Sequence, residues 1–227
     1  MNNKNTYHVE PIFPVGIYIV EIPEDLEKVF NIKEDENKFL DIDEHIRKTN
    51  GIVAENTYIL NKKKYFKLKN FILNHCKNYG ENYLSIDSEK YIMSQSWITI
   101  KPHDTEHKSH VHPNSIISGV LYYGKHNENT PGIKFFNSHN IWDFKKNRSL
   151  RIKPKFDNEL NSYTMDSIEF KFKPNTLILF PSWLEHGVSY NNTNKNRKSI
   201  AFNVLPKTLG YYKDLTELKL NNENHPI

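Results

Sequence analysis

The sequence is poor in the features that assign a chain to a secreted or membrane class. Among its 227 residues it has one cysteine, Cys76, so an internal disulfide is excluded and a reducing, intracellular setting is expected. No apolar run approaches the roughly 20 residues of a membrane helix. Residues 1–25 lack a long apolar stretch and a small-residue cleavage site, so no secretory signal is predicted. We therefore expect a cytoplasmic protein that has no membrane partner.

Strong charge of one sign is also missing. The chain carries 31 basic and 27 acidic residues, for a net charge of +4, and its lysines are scattered among many asparagines. This pattern favours a solvated surface over a nucleic-acid-binding patch. Neither a repeat of fixed period nor an interdomain linker is found. Because 13% aromatic residues supply ample material for a packed core, we predict a single domain over residues 1–227.

The first third of the chain predicts helices. Residues 23–48 are charged, with apolar residues at broken helical spacing, and residues 62–84 form the clearest helix. Gly80 is a candidate C-cap of that helix. The helical N-terminal part therefore covers about residues 23–90, after one early strand in "VGIYIVEI" (15–22). The apolar stripe of the clear helix consists of Tyr65, Leu68, Ile72, Cys76 and Tyr79.

After Tyr91 the pattern changes to short β-branched and aromatic runs separated by Asn, Pro and Gly turns. This is typical of an antiparallel sandwich or barrel, so the fold class is mainly β with flanking helices, and its core covers about residues 92–205. Residues 138–167 have the character of a long insertion or lid loop. The tail, residues 207–227, is predicted to hold a short helix near "YYKDLTELKL". The predicted strands are residues 92–101, 117–124, 132–137, 168–172, 176–181, 185–190 and 198–205.

The stretch "HKSHVHPNS" (107–115) concentrates histidines. If residues 109–112 are extended, alternation places His110 and His112 on one face of the strand. Two imidazoles in this arrangement can bind one metal ion, but the site needs a third ligand from elsewhere. His103 and His107 are expected to be exposed loop residues.

A second informative stretch, "LILFPSWLEHGVSYNNTNKNRKSIAFNV" (177–204), contains His186, the only histidine between His139 and His225. Arg197 follows eleven residues later and shares a strand face with Ser199 by alternation. The Asn-rich turn before Arg197 predicts a hairpin, which would place Arg197 and Ser199 beside the strand of His186.

These blocks resemble a known family. The Fe(II)/2-oxoglutarate-dependent oxygenases have the same order of motifs as this chain. The order is H-x-[D/E/H], then a tyrosine-bearing strand, then a distal His, and then R-x-S about ten residues later. Four segments are similar to segments of a group of such oxygenases found in marine bacteria and their phages. They are "SHVHPNSIISGVLYY", "GIKFF", "LILFPSWLEHGV" and "RKSIAFNV". The resemblance covers roughly residues 10–205, and it is specific because the blocks around 110–123 and 180–203 occur together.

The resemblance implies a double-stranded β-helix, a jelly roll of the cupin type, which agrees with the predicted strands. It implies Fe(II) held by His110 and His186, with 2-oxoglutarate as co-substrate. Arg197 would pair with the far carboxylate of 2-oxoglutarate through two parallel hydrogen bonds. Ser199 would add a hydroxyl donor, and Tyr123 would take the place of a co-substrate tyrosine. A phage-encoded member would act in the host cytoplasm.

One position departs from the family pattern. The usual second ligand is Asp or Glu, and His112 stands there instead. A three-histidine site suits Fe(II), but it neutralises less charge than two histidines with a carboxylate and selects less against zinc. We therefore predict His112 as a ligand beside His110 and His186. The alternatives are Asn114 as a weak ligand, a water held by His112, or a carboxylate from Asp104 or Glu106.

The function implied by the resemblance is that of a dioxygenase, which hydroxylates a C–H bond of an unidentified substrate and releases CO2 and succinate. The alternative is a cupin-like protein that binds a metal or a small ligand without oxidative turnover. A weaker alternative is an interaction protein whose loop 138–167 binds a partner. The substrate is left open among a protein side chain, a nucleic acid and a small molecule, because variable loops decide it.

Overall fold

The computed structural model describes residues 13–29, 32, 38–41, 43–86, 89–125, 129–137, 165–211 and 215–220. The helices there are α1 (Glu24–Val29), α2 (Glu44–Asn50) and α3 (Phe66–Tyr83), with short 3₁₀ turns at Ile59–Asn61 and Lys63–Tyr65. The strands there are β1 (Tyr18–Glu21), β2 (Ile52–Val53), β3 (Tyr91–Lys101), β4 (His107–His110), β5 (Ile117–Tyr123), β6 (Ile133–Phe136), β7 (Ser167–Phe170), β8 (Thr176–Pro181), β9 (His186–Val188), β10 (Arg197–Pro206), β11 (Thr208–Leu209) and β12 (Leu218–Lys219).

Two antiparallel sheets form the body of the fold. The major sheet has the strand order β1-β8-β5-β10-β3-β2, and the minor sheet has the order β4-β9-β6-β7. Apolar side chains of β5 and β8 in the major sheet pack in one cluster with Ile133 and Phe135 of β6, so the sheets face each other. The fold is a double-stranded β-helix with flanking helices, as predicted.

Helix α3 covers the outer face of the major sheet. Every member of its predicted apolar stripe is buried, and the stripe packs against outward residues of the sheet such as Leu121 and Phe202. Burying one such side chain contributes about 1.5–3 kcal/mol, so this contact fixes the helix on the sheet. The sheet's other face is thereby left to the minor sheet and to the site between them.

Gly80 does not cap α3, contrary to the prediction. The helix continues to Tyr83 and is capped at Leu84. A Cβ added at Gly80 would lie 2.0 Å from the Tyr91 hydroxyl, so this glycine allows the helix to approach the start of β3 closely. Asn175, in the turn before β8, has φ 66°, a left-handed conformation that asparagine adopts more readily than most residues.

Two further expectations need correction. Arg197 and Ser199 are not on a hairpin with His186, because β9 pairs with β4 and β6 whereas β10 pairs with β3 and β5. In the described residues of the tail there is no helix, since β12 folds back on β11 through a turn in which Gly210 has φ 77°.

Residues 138–164 lie outside the described part of the chain, so the lid loop stays a prediction, and β7 begins at Ser167.

The remaining strands agree with the prediction to within three residues at either end. Within the described residues, no helix is both long and apolar enough to cross a membrane. The cytoplasmic location and the extent of the domain stay predictions.

Candidate active site

Three histidines converge between the two sheets. His110 ends β4, and its register neighbour His186 begins β9. The backbone N–H of His112 donates to Ser182 O at 3.0 Å, which ties the segment after β4 to the loop before β9. One nitrogen from each of the three rings lies within 4.8 Å of the others. The structure thus brings the three predicted metal ligands together.

Carbonyl groups fix two of the three rings. Nδ1 of His110 lies 2.9 Å from Lys108 O, and Nδ1 of His186 lies 2.8 Å from Leu184 O. Because a carbonyl oxygen only accepts, each Nδ1 carries the proton and each Nε2 presents a lone pair. The lone pair of His186 faces Nε2 of His112 at 3.1 Å, where a proton from His112 or a metal ion can lie between the rings.

Burial keeps the three rings neutral. It lowers the pKa of His110, brings the pKa of His112 to about 4 and that of His186 to about 3. A metal ion binds the neutral imidazole, so these rings need not lose a proton at pH 7 before they bind it. The protonation state and the ring orientations therefore both fit a divalent cation.

His112 is held by residues that the sequence analysis did not single out as ligand supports. A hydrogen bond from His112 to the Asn203 side chain opposes the effect of burial on its pKa. The Asn203 amide is itself oriented, since its Nδ2 donates to Gln95 Oε1 at 3.3 Å and its Oδ1 accepts from Ser118 Oγ at 2.9 Å. The Trp97 ring stacks on His112 with the ring centroids 5.8 Å apart. His112 is thus built into the site rather than exposed beside it.

Arg197 lies across the cavity from the histidines, at the start of β10. Its Nη1 donates to Ser199 Oγ at 3.2 Å and its Nη2 donates to the Tyr122 hydroxyl at 2.8 Å. The guanidinium is buried, and its carbon lies 4.7 Å from the centroid of the Tyr122 ring. Nε of Arg197 has no hydrogen-bond partner among the described residues, so the group has donor capacity left for a carboxylate.

The tyrosine beside Arg197 is Tyr122, whereas the family resemblance implied Tyr123. The register of β5 with β10 opposes Tyr122 to Ser199 and Tyr123 to Lys198, so the two tyrosines point to opposite faces of the sheet. Tyr123 packs in the outer core beneath α3. This geometry replaces Tyr123 by Tyr122 as the candidate co-substrate tyrosine.

His103 is exposed, as expected, but His107 is not a loop residue. His107 begins β4, its ring stacks on His110 with centroids 4.3 Å apart, and it lines the cavity of the site. Burial, and after it the charge of Lys101, lowers the pKa of His107 far below the ordinary value for histidine. His107 therefore forms a neutral wall beside the three-histidine cluster.

The alternatives to His112 are not brought into the cluster. Asp104 is exposed and accepts a hydrogen bond from the Tyr190 hydroxyl. Glu106 lines a separate cavity with Lys108, and Asn114 is exposed at the edge of the site with φ 54°. Among the described residues, no Asp or Glu carboxylate belongs to the group of candidate metal ligands that the three histidines form.

Two cavities meet at the histidines. The smaller, of about 40 Å³, is lined by the cluster together with Lys101 and Arg197. The larger, of about 510 Å³, shares Trp97, His107, His110 and His112 with it and is bordered by the side-chain amides of Asn50, Gln95, Asn114 and Asn203. No Asp, Glu, Lys or Arg is among the described residues that line the larger cavity.

Fold and site together define a double-stranded β-helix protein with a partly buried three-histidine centre of metal-binding type. Residues 95–203 match a family model described as "Putative 2OG-Fe(II) oxygenase". This segment contains the three histidines, Arg197 and Ser199, and over it the chain is similar to the 2OG-Fe(II) oxygenases. No curated protein matches the chain.

Solved structures show the same fold. A Pseudomonas putida prolyl-4-hydroxylase superposes with a TM-score of 0.53 and 12% identity, over 83% of this chain and 92% of its own. A non-haem α-ketoglutarate-dependent epimerase, SnoN of nogalamycin biosynthesis, gives a TM-score of 0.57 and 11% identity, over 86% of this chain and 80% of its own. At these identities the likeness is one of fold.

The family match and the histidine triad support a 2-oxoglutarate-dependent dioxygenase with Fe(II) and 2-oxoglutarate as its cofactors. The chemistry of the residues fits both groups. Neutral imidazoles suit Fe(II), and a buried guanidinium with a free donor suits a carboxylate. The expected origin in marine bacteria or phages stays a prediction.

Proposed function

We propose that the protein hydroxylates a C–H bond of a substrate with Fe(II), 2-oxoglutarate and O2, and releases succinate and CO2. One oxygen atom enters the substrate and the other enters succinate, while 2-oxoglutarate is oxidised and decarboxylated. The observation that carries the proposal is the pairing of two groups across one small cavity. His110, His112 and His186 present neutral nitrogens on one side, and Arg197 with Ser199 presents a buried carboxylate-binding group on the other.

The residues of the chain would divide the work as follows. The histidines would hold Fe(II), which together with bound 2-oxoglutarate supplies the oxidising chemistry. Arg197 would bind the far carboxylate of 2-oxoglutarate, with Ser199 and Tyr122 holding the guanidinium plane in place. The neutral walls around the cavity, including His107, would exclude water from the reacting groups.

We further propose His112 as a direct ligand. Its Nε2 faces that of His186 at 3.1 Å, which is too close for a bridging water between the rings but leaves both nitrogens free to turn to one ion. The Asn203 amide would hold the ring in this orientation, as hydrogen-bonding partners of metal-binding histidines do in general.

The substrate would bind in the larger cavity beside the histidines. Its side-chain amides offer both donors and acceptors, Trp97 offers an aromatic surface, and charged side chains are lacking among its described lining residues. These features favour an uncharged, hydrogen-bonding substrate group over a phosphate or an ammonium. The fold alone does not determine the type of reaction, since a hydroxylase and an epimerase share this fold.

The test is succinate formation from 2-oxoglutarate with Fe(II) and ascorbate, measured with and without candidate substrates. We expect turnover by the wild type, and at least a hundredfold loss in His186→Ala because a metal ligand is removed. Arg197→Ala should raise the KM for 2-oxoglutarate at least tenfold, since a charge-assisted contact of about 1.5–3 kcal/mol is lost. His103→Ala and Arg47→Ala change exposed residues of the same types and should behave as wild type.

The rival function is that of a metal- or ligand-binding protein without turnover. A three-histidine site without a carboxylate also suits zinc, which has no redox chemistry. Stoichiometric zinc in the purified protein, no succinate after reloading with Fe(II), and an Arg197→Ala variant with unchanged ligand binding would together favour this rival.

A further inference from the structure

Lys101 is a second buried cation in the cavity of the candidate active site. It ends β3, where it is the direct register neighbour of Arg197 in β10, and both side chains therefore lie on the inner face of the major sheet. Lys101 is 0% exposed and Arg197 is 3% exposed. We propose that Lys101 binds the dianionic co-substrate together with Arg197, an inference that rests on the proposed function.

The two cations lack a counter-charge within the protein. Neither Lys101 nor Arg197 makes an ion pair within the described part of the chain, and no acidic residue is among the described residues that line their cavity. The hydrogen-bond acceptor of the Lys101 ammonium there is a neutral carbonyl, that of Asn50. Two buried like charges side by side destabilise a protein unless a ligand of opposite charge binds them.

The pKa of Lys101 in the ligand-free protein agrees with the absence of a counter-charge beside it. Burial, and after it the charge of Arg197, lowers the pKa of Lys101 to about 6. A bound carboxylate would reverse both effects, because it supplies the missing charge and an ionised hydrogen-bond acceptor. Without ligand, Lys101 is therefore mainly the neutral amine at pH 7, and a bound co-substrate would favour its charged form.

The ligand that fits is a dicarboxylate rather than a monocarboxylate. The planar guanidinium of Arg197 is suited to one carboxylate through parallel hydrogen bonds, whereas a lysine ammonium acts as a compact charge on a long stem. Three neutral histidines leave the charge of a divalent ion uncompensated, so the site as a whole favours a dianion. Lys101 would thus contribute to selection of 2-oxoglutarate over 2-oxo acids that have a single carboxylate.

A purely structural role for Lys101 makes the opposite prediction. Its ammonium bonds the last residue of α2, and a Cβ added at the next residue, Gly51, would lie 2.6 Å from Lys101 Cδ. If Lys101 only ties α2 to β3, removing its charge should weaken the ligand-free protein. If Lys101 serves the co-substrate, the same change should leave the ligand-free protein as stable or more stable.

The experiment measures 2-oxoglutarate binding by calorimetry to the full chain loaded with Mn(II), and urea unfolding of the metal-free protein. For Lys101→Met we expect the Kd for 2-oxoglutarate to rise about tenfold to hundredfold, with an unfolding midpoint equal to or above that of the wild type. Lys101→Arg should recover part of the affinity. Lys195→Met removes an exposed lysine two residues before Arg197 and should bind as wild type.

The outcomes separate this inference from the proposed function. A wild-type protein that binds Mn(II) but not 2-oxoglutarate would overturn both. A wild type that binds 2-oxoglutarate, with Lys101→Met binding it within twofold, would overturn the role of Lys101 alone. A lowered unfolding midpoint in Lys101→Met, with Lys101→Arg equally weak in binding, would assign Lys101 to the structural role instead.

Discussion

A histidine in the usual place of a carboxylate changes how the metal-free site responds to acid. The folded-state pKa values of His112, about 4, and His186, about 3, lie below the ordinary histidine value of about 6.5, mainly because both rings are buried. Between these values the unfolded chain binds more protons than the folded one. The stability that depends on the neutral rings is therefore fully present above about pH 6.5 and is lost as the pH falls towards 4.

We expect the metal-free protein to lose up to about 1.4 kcal/mol of unfolding free energy per pH unit for each such histidine between pH 6.5 and 4.5. Urea unfolding at a series of pH values in the presence of a chelator measures this slope. His112→Gln, which is neutral throughout, should have a shallower slope. His103→Gln removes an exposed histidine and should keep the wild-type slope, and equal slopes in all three proteins would contradict the explanation.

Single residues of the site were predictable where sequence spacing alone decides their position. His110 and His112 follow from alternation, and His186 and Arg197 from the family order. The choice of Tyr123 over Tyr122 was not decidable in this way, because all seven residues of β5 are buried and the strand has no polar face to give a period. The burial of Lys101 was not predictable from the sequence, because a lysine at a strand end is usually exposed. It becomes evident only from the pairing of Lys101 with Arg197 in the sheet.

At the scale of elements, the mistaken hairpin between β9 and β10 has a local cause. The turn before β10 contains Asn191, which is fully buried and whose Nδ2 donates to Lys101 O, Pro102 O and Lys195 O. These bonds fasten the turn to the end of β3, so the chain crosses from the minor sheet to the major sheet instead of turning back. Sequence alone marks the Asn-rich stretch as a turn but does not give its partners. The crossing is what sets Arg197 opposite His186.

The contact between α3 and β3 offers a test at the same scale. Gly80→Ala should destabilise the protein by about 1–3 kcal/mol although alanine favours helices, because the new methyl group overlaps the buried Tyr91 side chain. Asn74→Ala, at an exposed position of the same helix, should be neutral or slightly stabilising. Urea unfolding of both variants measures the difference. A Gly80→Ala protein as stable as Asn74→Ala would show that α3 does not pack this closely on β3.

For the molecule as a whole, the site is where the two sheets of the β-helix meet through polar rather than apolar groups. His110 and His186 belong to the minor sheet, whereas Lys101, Arg197 and Ser199 belong to the major sheet. The apolar cluster between the sheets, around Phe135 and Phe180, lies beside this gap. A metal ion would thus bind mainly to one sheet, and a co-substrate that reaches both the metal and Arg197 would join the two.

Stepwise stabilisation by ligands follows from this division. At a hundredfold excess over Kd, each ligand should add about 2.7 kcal/mol, which for a chain of this length raises the thermal midpoint by about 5–11 °C. Mn(II) should give the first shift, and 2-oxoglutarate should give the second only after Mn(II) is bound, because the metal completes its binding site. His186→Ala should lose both shifts, whereas Arg197→Ala should keep the first and lose most of the second. Differential scanning calorimetry checks this order, and an equal shift by 2-oxoglutarate with and without Mn(II) would mean that the co-substrate does not bridge the sheets through the metal.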